Sequence, residues 1–194
     1  MFEAIKNLDK EIFLYLNSAN SSFFDPIMWF LSGKIIWLIA VAVILFFLFK
    51  KYGNKIWIFV IALALCFLLT EQVCNLIKHS VQRYRPSHNL EISFLAHNLN
   101  DYKGGLYGFP SAHAANSFGL AVLSILLIRR KTFTVFILIW ATLVSYSRIY
   151  LGVHYPSDIL AGILLACILA FGVFYLLKLI LKRRKISINF QHTN

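Results

Sequence analysis

Three cations, two histidines and one acid lie near the ends of long apolar stretches, and their chemistry suits the handling of a phosphate group. They are Lys78, Arg85, Arg148, His113, His154 and Asp158. Arginine can form two parallel hydrogen bonds with phosphate oxygens, whereas lysine contributes a compact positive charge. Two histidines can supply a nucleophile or base and an acid. We therefore predict that these side chains converge on one anionic group.

The spacing of His154 and Asp158 supports this prediction. They are four residues apart, so they lie on one face if a helix begins there. A carboxylate on one ring nitrogen fixes the histidine tautomer and leaves the other nitrogen free to attack. A further apolar stretch begins near Ser111 and Ala112, and the free N–H groups at such a helix start can hold an anion.

Glu71 is a candidate supporting residue. Glu71, Asn75 and Lys78 follow one another at spacings of four and three, so they share one helical face. We predict that Glu71 supports the site or steadies Lys78, and the alternative is a hydrated helix end. Histidines 79, 88 and 97 recur every nine residues, but no cysteine or acid completes a tetrahedral metal site, so solvated loop residues are the better interpretation.

The elements that must position these groups are predicted to be membrane helices. Of the 194 residues, 59% are hydrophobic and 14% are charged, whereas a soluble domain is about half apolar and about a quarter charged. Five stretches approach the roughly 20 apolar residues that cross a bilayer: 34–49, 56–77, 111–128, 133–150 and 159–181. The predicted fold is an all-α, polytopic membrane helix bundle with about five transmembrane helices, forming a single domain over residues 1–194.

Residues 1–32 are expected to form interfacial helices. Residues 5–16 carry apolar side chains at a roughly helical period, and residues 25–30 add a short helix. The alternative is a first span interrupted by polar residues. The segment lacks the basic start and cleavage site of a signal peptide, so we expect it to be retained.

The basic residues predict the topology. The formal charge is +11, and most cations fall in three short clusters around Lys50, Arg129 and Lys182. Five spans place all three clusters on one side, which is the cytoplasmic side in membrane proteins. The C-terminus is then cytoplasmic, and the loop at 78–110 is extracytoplasmic together with every candidate site residue. Basic residues between apolar runs also argue against a nucleic-acid partner, and no obligate protein partner is predicted.

Three motifs carry a resemblance to a known family. Residues 78–86 fit K-x6-R-P, residues 147–158 fit S-R-x5-H-x3-D, and residues 110–113 are similar to P-S-G-H, with Ala112 in place of glycine. In this order they resemble the signature of the type 2 phosphatidic acid phosphatase superfamily, in its membrane lipid phosphatase branch. Bacterial acid phosphatases and vanadium haloperoxidases are related to the same superfamily.

The resemblance implies a role for each matched residue. His154 attacks phosphorus to give a phosphohistidine, Asp158 orients it, and His113 protonates the leaving oxygen. Ser147 is implied to hydrogen-bond within this shell. The remaining residues are implied to hold the phosphate: Lys78, Arg85, Arg148, Ser111 and the amides of Ala112 and His113. The implied scheme requires neither a metal ion nor a cofactor.

The predicted substrate is a phosphorylated membrane lipid, because a site at the membrane–water boundary can reach a headgroup while the tail stays in the bilayer. The family resemblance implies lipid A phosphate and undecaprenyl diphosphate as the first candidates, followed by phosphatidylglycerol phosphate. Residues 24–34, FDPIMWFLSGK, resemble the group associated with lipid A dephosphorylation. The expected location is the bacterial cytoplasmic (inner) membrane, with the active site facing the periplasm. The alternative function is a non-enzymatic binder or transporter of anionic lipid, which would not need His154 with Asp158.

Overall fold

The computed structural model describes residues 2–188 and 190, so residues 1, 189 and 191–194 of the predicted domain lie outside the described residues. The described part forms seven α-helices, joined by turns and short 3₁₀ segments. They are α1 (Phe2–Asn17), α2 (Phe24–Ser32), α3 (Lys34–Tyr52), α4 (Ile56–Val81), α5 (Ala112–Ile128), α6 (Lys131–Tyr150) and α7 (Pro156–Arg183). The all-α prediction is confirmed.

The helices have the length and surface of membrane helices. Among the described residues, three helical stretches are long and apolar enough to cross a bilayer: Lys34–Val81, which contains α3 and α4, then Lys131–Tyr150 and Pro156–Arg183. Large apolar side chains such as Leu38 and Ile168 are exposed on their outer faces, as expected where a helix contacts hydrocarbon. The membrane helix bundle is confirmed. Because α5 has only 17 residues, the count of five spans stays a prediction.

Helix α5 lies at the centre of the bundle and packs against α4, α6 and α7. Its buried face contains small residues, including Ala114 and Ala115, and small residues let membrane helices approach closely. Gly162 of α7 is part of the same contact, because a Cβ there would lie 2.6 Å from the Ser111 carbonyl oxygen. This close approach brings the first turn of α7 beside the first turn of α5.

The N-terminal helices pack on the same end of the bundle. Helix α1 contacts α6 and α7, and α2 contacts α6 and α3. Phe13 of α1 is fully buried, with its ring centroid 5.6 Å from that of Tyr155, whereas Leu8 and Tyr15 are exposed on other faces of the helix. The side-chain amide of Asn17 donates to the carbonyl oxygens of Ile149 and Tyr150, at 3.0 and 2.9 Å. Both predicted segments are helical, and their interfacial position stays a prediction.

The connection between α4 and α5 is irregular but held in place. Helix α4 continues through Lys78 to Val81, and Gln82 ends it in the left-handed conformation with φ of 50°. The irregular segment therefore begins at residue 82 rather than at residue 78. Tyr84 and Tyr107 form an isolated antiparallel bridge, which brings the two ends of the segment together.

Candidate active site

The first turn of α7 positions Asp158 and His154. Pro156 opens the helix, a position where its missing N–H leaves no hydrogen bond unmade. The Asp158 carboxylate is fully buried and caps the helix by accepting from the Tyr155 amide at 2.9 Å. The same carboxylate oxygen, Oδ2, lies 3.3 Å from His154 Nδ1. Capping of the helix therefore also fixes the carboxylate beside the histidine ring.

Arg85 defines the other side of the His154 ring. Its Nη1 lies 2.9 Å from His154 Nε2 and also donates to the Val153 carbonyl oxygen at 3.2 Å. Because a guanidinium has donors only, Nε2 must be the acceptor. The proton of a neutral ring is then on Nδ1, where it points to Asp158. This is the tautomer in which Nε2 carries the lone pair.

The charge state of His154 follows from its surroundings. Burial is the largest influence, and Arg85, Arg148 and Lys78 add to it, so the pKa of His154 lies well below its ordinary value. Both effects disfavour the charged imidazolium. The ring is consequently neutral at neutral pH in the absence of a bound anion.

Arg148 lies in the last turn of α6 and is held from two directions. It is buried, and its guanidinium donates to the Ser32 hydroxyl and, at 3.0 Å, to the Tyr102 hydroxyl. Within the described residues, the Nε atoms of Arg148 and Arg85 are both buried and have no hydrogen-bond acceptor. Buried donors without partners are rare in folded proteins. These two are available to an anion that enters between the arginines.

A cleft of about 580 Å³ opens between the N-terminal parts of α3 and α5 and the C-terminal part of α4. Half of the predicted site residues line it: Glu71, Lys78, Arg85, Ala112 and His113. The ring centroid of His113 lies 6.1 Å from that of Trp37, which lines the same cleft. His154 lies behind the Arg85 guanidinium, so the structure brings both histidines and Asp158 to one end of the bundle.

The start of α5 presents backbone donors to this cleft. Ser111 is the N-cap, and its hydroxyl accepts from the Ala114 amide at 3.4 Å, while its own amide donates to the Asp158 carbonyl oxygen at 2.9 Å. No acceptor for the amides of Ala112 or His113 is found in the described part of the chain. Such amides at a helix start suit an anion.

Glu71 is fixed within the cleft by neighbouring amides. Its carboxylate accepts from Asn116 Nδ2 at 2.7 Å and from Asn75 Nδ2 at 3.4 Å. The Asn116 oxygen in turn accepts from the Thr70 hydroxyl at 2.6 Å. The acid is thus held next to Lys78 as part of a polar network. Its contribution to the reaction stays a prediction.

Ser147 makes its side-chain hydrogen bond within its own helix. Its buried hydroxyl donates to the Val144 carbonyl oxygen of its own helix at 2.7 Å. This back-bonding within the helix is common for serine. Its implied role in the shell stays a prediction.

Several residues that contact the site are absent from the sequence-based prediction. Arg83 donates to Asp158, and Asp9 contacts Arg83, whereas Ser32 and Tyr102 hold Arg148. Arg83 lies within the first motif, two residues before Arg85. Its positive charge at that position could have indicated a residue near the site. The other three are distant in sequence and carry no spacing that marks them.

Known proteins are similar to this chain in sequence and in fold. The sequence profile of the PAP2 superfamily matches residues 57–181. The chain belongs to the PAP2 superfamily. All three motifs fall inside the matched range, so the family recognised from them is confirmed.

Individual PAP2 relatives cover most of the chain. It is 41% identical over 165 residues to a lipid A 4′-phosphatase of Bacteroides thetaiotaomicron, covering 84% of this chain and 73% of that one. It is 30% identical over 164 residues to an undecaprenyl-diphosphatase of Sulfolobus acidocaldarius, covering 83% and 74%. The crystal structure of a transmembrane PAP2 type phosphatidylglycerolphosphate phosphatase from Bacillus subtilis has the same fold, with a TM-score of 0.71 at 21% identity, covering 95% of this chain and 88% of that one. The prediction of a membrane phosphatase is confirmed at the level of enzyme class.

Proposed function

We propose that this PAP2 protein hydrolyses a phosphate ester of a membrane lipid through a phosphohistidine on His154. The observation that carries the proposal is the orientation of that ring. Nδ1 is 3.3 Å from the buried Asp158 carboxylate, and Nε2 accepts from Arg85. A neutral imidazole held in this tautomer has its nucleophilic nitrogen directed toward the cations that would bind phosphate.

The proposed reaction has two steps. In the first, His154 Nε2 forms a bond to phosphorus while the bond from phosphorus to the lipid oxygen breaks, and His113 donates a proton to that oxygen. In the second, His113 removes a proton from water, the water oxygen bonds to phosphorus, and the bond to Nε2 breaks. Inorganic phosphate is released and His154 is restored as the neutral ring.

Phosphate binding requires Arg85 to exchange one partner for another. Its Nη1 contacts His154 Nε2, and a phosphate oxygen is a stronger acceptor because both partners of that bond are charged. Lys78 and Arg148 supply further positive charge, and the Ala112 and His113 amides supply neutral donors. Ser111 contributes as the cap that orients these amides. Such preorganised donors stabilise the charge of a transition state.

The shape of the cavities supports a lipid substrate. A second, almost wholly apolar groove of about 540 Å³ runs between α3 and α4. It shares Trp37, Leu38 and Phe67 with the polar cleft. A molecule whose phosphate lies beside Lys78 can therefore place its apolar chain in the groove. A small water-soluble ester would leave that apolar surface unused.

Lipid A phosphate is the proposed substrate class. The 41% identity to a lipid A 4′-phosphatase supports it. The cleft also contains the fixed Glu71 carboxylate and Lys34 among its cations, and a carboxylate can accept from sugar hydroxyl groups. Undecaprenyl diphosphate is the next candidate, since an undecaprenyl-diphosphatase is 30% identical. Phosphatidylglycerol phosphate comes third.

We further propose that the site faces the periplasm from the bacterial cytoplasmic membrane, with the C-terminus cytoplasmic. Lys55 precedes the first turn of α4 and Lys78 lies in its last turn. At 1.5 Å per residue, these lysines are roughly 35 Å apart, which is close to the thickness of a hydrocarbon core. The basic clusters that favour the cytoplasm thus lie at the opposite end from the cleft.

The test is phosphate release by purified protein in detergent and EDTA, from lipid A, undecaprenyl diphosphate and phosphatidylglycerol phosphate. We expect lipid A to be the fastest substrate, and His154→Ala to abolish release. His79→Ala is the matched control, because His79 is exposed at the end of α4. A radiolabelled phosphate from the substrate should be trapped on the wild type as an acid-labile, base-stable adduct. Undiminished release by His154→Ala would refute the proposal.

A further inference from the structure

Resting on the proposed function, we infer that Arg83 and Asp9 are positioning residues for the reaction. They hold the Asp158 carboxylate in place and set the charge that it presents to His154. Arg83 lies in the segment after α4, and Asp9 lies in α1. Arg83 Nη1 and Nη2 are already bonded to Asp158 and Asp9, so this guanidinium is directed to two acids rather than to a phosphate.

The two oxygens of Asp158 have separate partners. Oδ1 accepts from Arg83 Nη1 at 2.9 Å. Oδ2 accepts from the Tyr155 amide at 2.9 Å and faces His154 Nδ1 at 3.3 Å. Arg83 thereby fixes the rotation of the carboxylate about its own axis. Without that bond, only Oδ2 would be restrained, and its direction toward the histidine would be less well defined.

Asp9 fixes Arg83 from the opposite side. Arg83 Nη2 donates to Asp9 Oδ2 at 2.6 Å, and Asp9 also accepts from the Ser157 amide at 3.0 Å and the Ser157 hydroxyl at 2.5 Å. The Arg83 guanidinium lies 4.1 Å from the centroid of the Tyr155 ring. A planar fork that bonds two acids and stacks on a ring cannot be reproduced by lysine. Helix α1 is therefore connected to the start of α7 both directly, through Asp9 and Ser157, and through the Arg83 guanidinium.

The charges in this network oppose one another at His154. Arg83 weakens the negative field of Asp158, and Asp9 weakens the positive field of Arg83. The other ionisable groups around His154 and Asp158 come from α4, α5, α6 and the segment after α4, and they are Lys78, His113, Arg148 and Arg85. These are unchanged when Arg83 or Asp9 is replaced. The two replacements should consequently shift the protonation of His154 in opposite directions.

The experiment compares the pH dependence of kcat/KM for Arg83→Gln, Asp9→Asn and the wild type on one lipid phosphate. Loss of Arg83 removes a positive charge from beside the Asp158–His154 pair, so the pair holds its protons to higher pH. We expect the acidic limb of the kcat/KM profile to move to higher pH by about half a pH unit to one pH unit. Loss of the Asp9 charge should move the same limb down. Substrate ionisation is common to all variants and cancels in the comparison.

The magnitudes separate positioning from phosphate binding. Arg83→Gln should lower kcat by about 10²-fold, as expected for a displaced reacting group, with KM changed less than about threefold. Arg83→Lys should retain the wild-type limb because it keeps the charge, with kcat only partly restored. Glu3→Gln is the control for Asp9→Asn, since Glu3 is an exposed acid on the same helix, paired with Lys6. It should match the wild type.

The outcomes are decisive because the wild type and His154→Ala are assayed beside the variants. Suppose that His154→Ala loses phosphate release but the acidic limb of the pH profile is unshifted in both Arg83→Gln and Asp9→Asn. That result would overturn the inference and leave the proposed function intact. A rise in KM of tenfold or more in Arg83→Gln would also overturn it, by indicating a phosphate ligand. Melting temperatures in detergent identify any variant that is unfolded. Asp9→Asn, which preserves shape, then carries the test alone.

Discussion

Arg85 Nη1 lies 2.9 Å from His154 Nε2, so the arginine that is proposed to bind phosphate contacts the proposed nucleophile directly. The arginine protects the lone pair of Nε2 and at the same time keeps the ring in the reactive tautomer. A phosphate that draws the guanidinium toward itself would release Nε2 at the moment when phosphorus arrives. Substrate binding and activation of the nucleophile are thus linked through one side chain.

Replacement of Arg85 should therefore affect both binding and turnover. We expect Arg85→Ala to lower kcat/KM by about 10²–10³-fold, the usual loss when a transition-state donor is removed. Both kcat and KM should change, because the residue serves both roles. Lys103→Ala is the control, since Lys103 is an exposed cation that also lies in the connection between α4 and α5. Steady-state assays that show kcat and KM of Arg85→Ala within twofold of the wild type would exclude this role.

The pH dependence of stability should report the buried His154. Its pKa lies well below the ordinary value of 6.5, because of burial and then Arg85, Arg148 and Lys78. As pH falls below 6.5, the unfolded chain gains a proton that the folded chain does not, so stability decreases in that window. We expect the free energy of unfolding of the wild type to fall more steeply than that of His154→Asn, by up to about 1.4 kcal/mol per pH unit. Thermal melts in detergent that decline in parallel from about pH 7 to pH 5 would contradict this.

Gly108 should be required for the alignment of the site. A Cβ at this position would lie 2.9 Å from Asp158 Oδ2 and 3.2 Å from Arg85 Cγ. We expect Gly108→Ala to fold but to lose at least about tenfold in kcat, because displaced catalytic groups are costly. Gly105→Ala is the matched control, since a Cβ there meets no atom within 4 Å. Equal rates for the two variants would show that the contact is unimportant.

Gly162 should be required for stability instead. A Cβ here would lie 2.6 Å from the Ser111 carbonyl oxygen, which would force α5 and α7 apart. We expect Gly162→Ala to be destabilised by about 1–3 kcal/mol, the usual cost of overpacking. Gly172→Ala on the same helix has open space around its Cβ and should be at least as stable as the wild type. Melting temperatures in detergent provide the comparison, and a stable Gly162→Ala variant would disprove the expected clash.

The apolar groove between α3 and α4 should be needed only for long-chain substrates. Ala64 lines this groove, whereas Leu65 lines a separate groove between α4 and α7. We expect Ala64→Trp to raise KM for a long-chain lipid phosphate by about tenfold and to leave a short-chain ester unaffected. Leu65→Trp should leave both substrates unaffected. Equal effects of Ala64→Trp on both esters would show that the groove does not bind the apolar chain of the substrate.

The sequence predicts the helices well because apolar side chains are continuous over them. Residues 133–150 and 159–181 were expected to be helical, and they lie within α6 and α7. The start of the connection between α4 and α5 was predicted less accurately. Residues 78–81 include none that ends a helix, and α4 stops only at the left-handed Gln82. The local pattern of apolar residues indicates which segments are helical and which are long enough to cross a membrane, and these properties determine the helix bundle.

The contacts around Asp158 were only partly predictable. His154 and Asp158 lie one helical turn apart, so their pairing follows from spacing. Asp9 and Ser157 are separated by 148 positions, and they meet because α1 packs against α7. Likewise, the hydrogen bond between Arg85 and His154 depends on how the connection between α4 and α5 packs against the start of α7. Interactions of this kind arise from tertiary packing, which leaves no regular spacing in a single sequence.

The shared boundary of the two cavities has a consequence for how the products separate. Trp37, Leu38 and Phe67 border both the polar cleft and the apolar groove. After the ester bond breaks, the dephosphorylated lipid can diffuse sideways into the bilayer while the inorganic ion dissolves into water. Each product then has its own exit and its own phase. Rebinding of one does not require the other, so dilution of phosphate into the aqueous compartment would make the reaction effectively one-way.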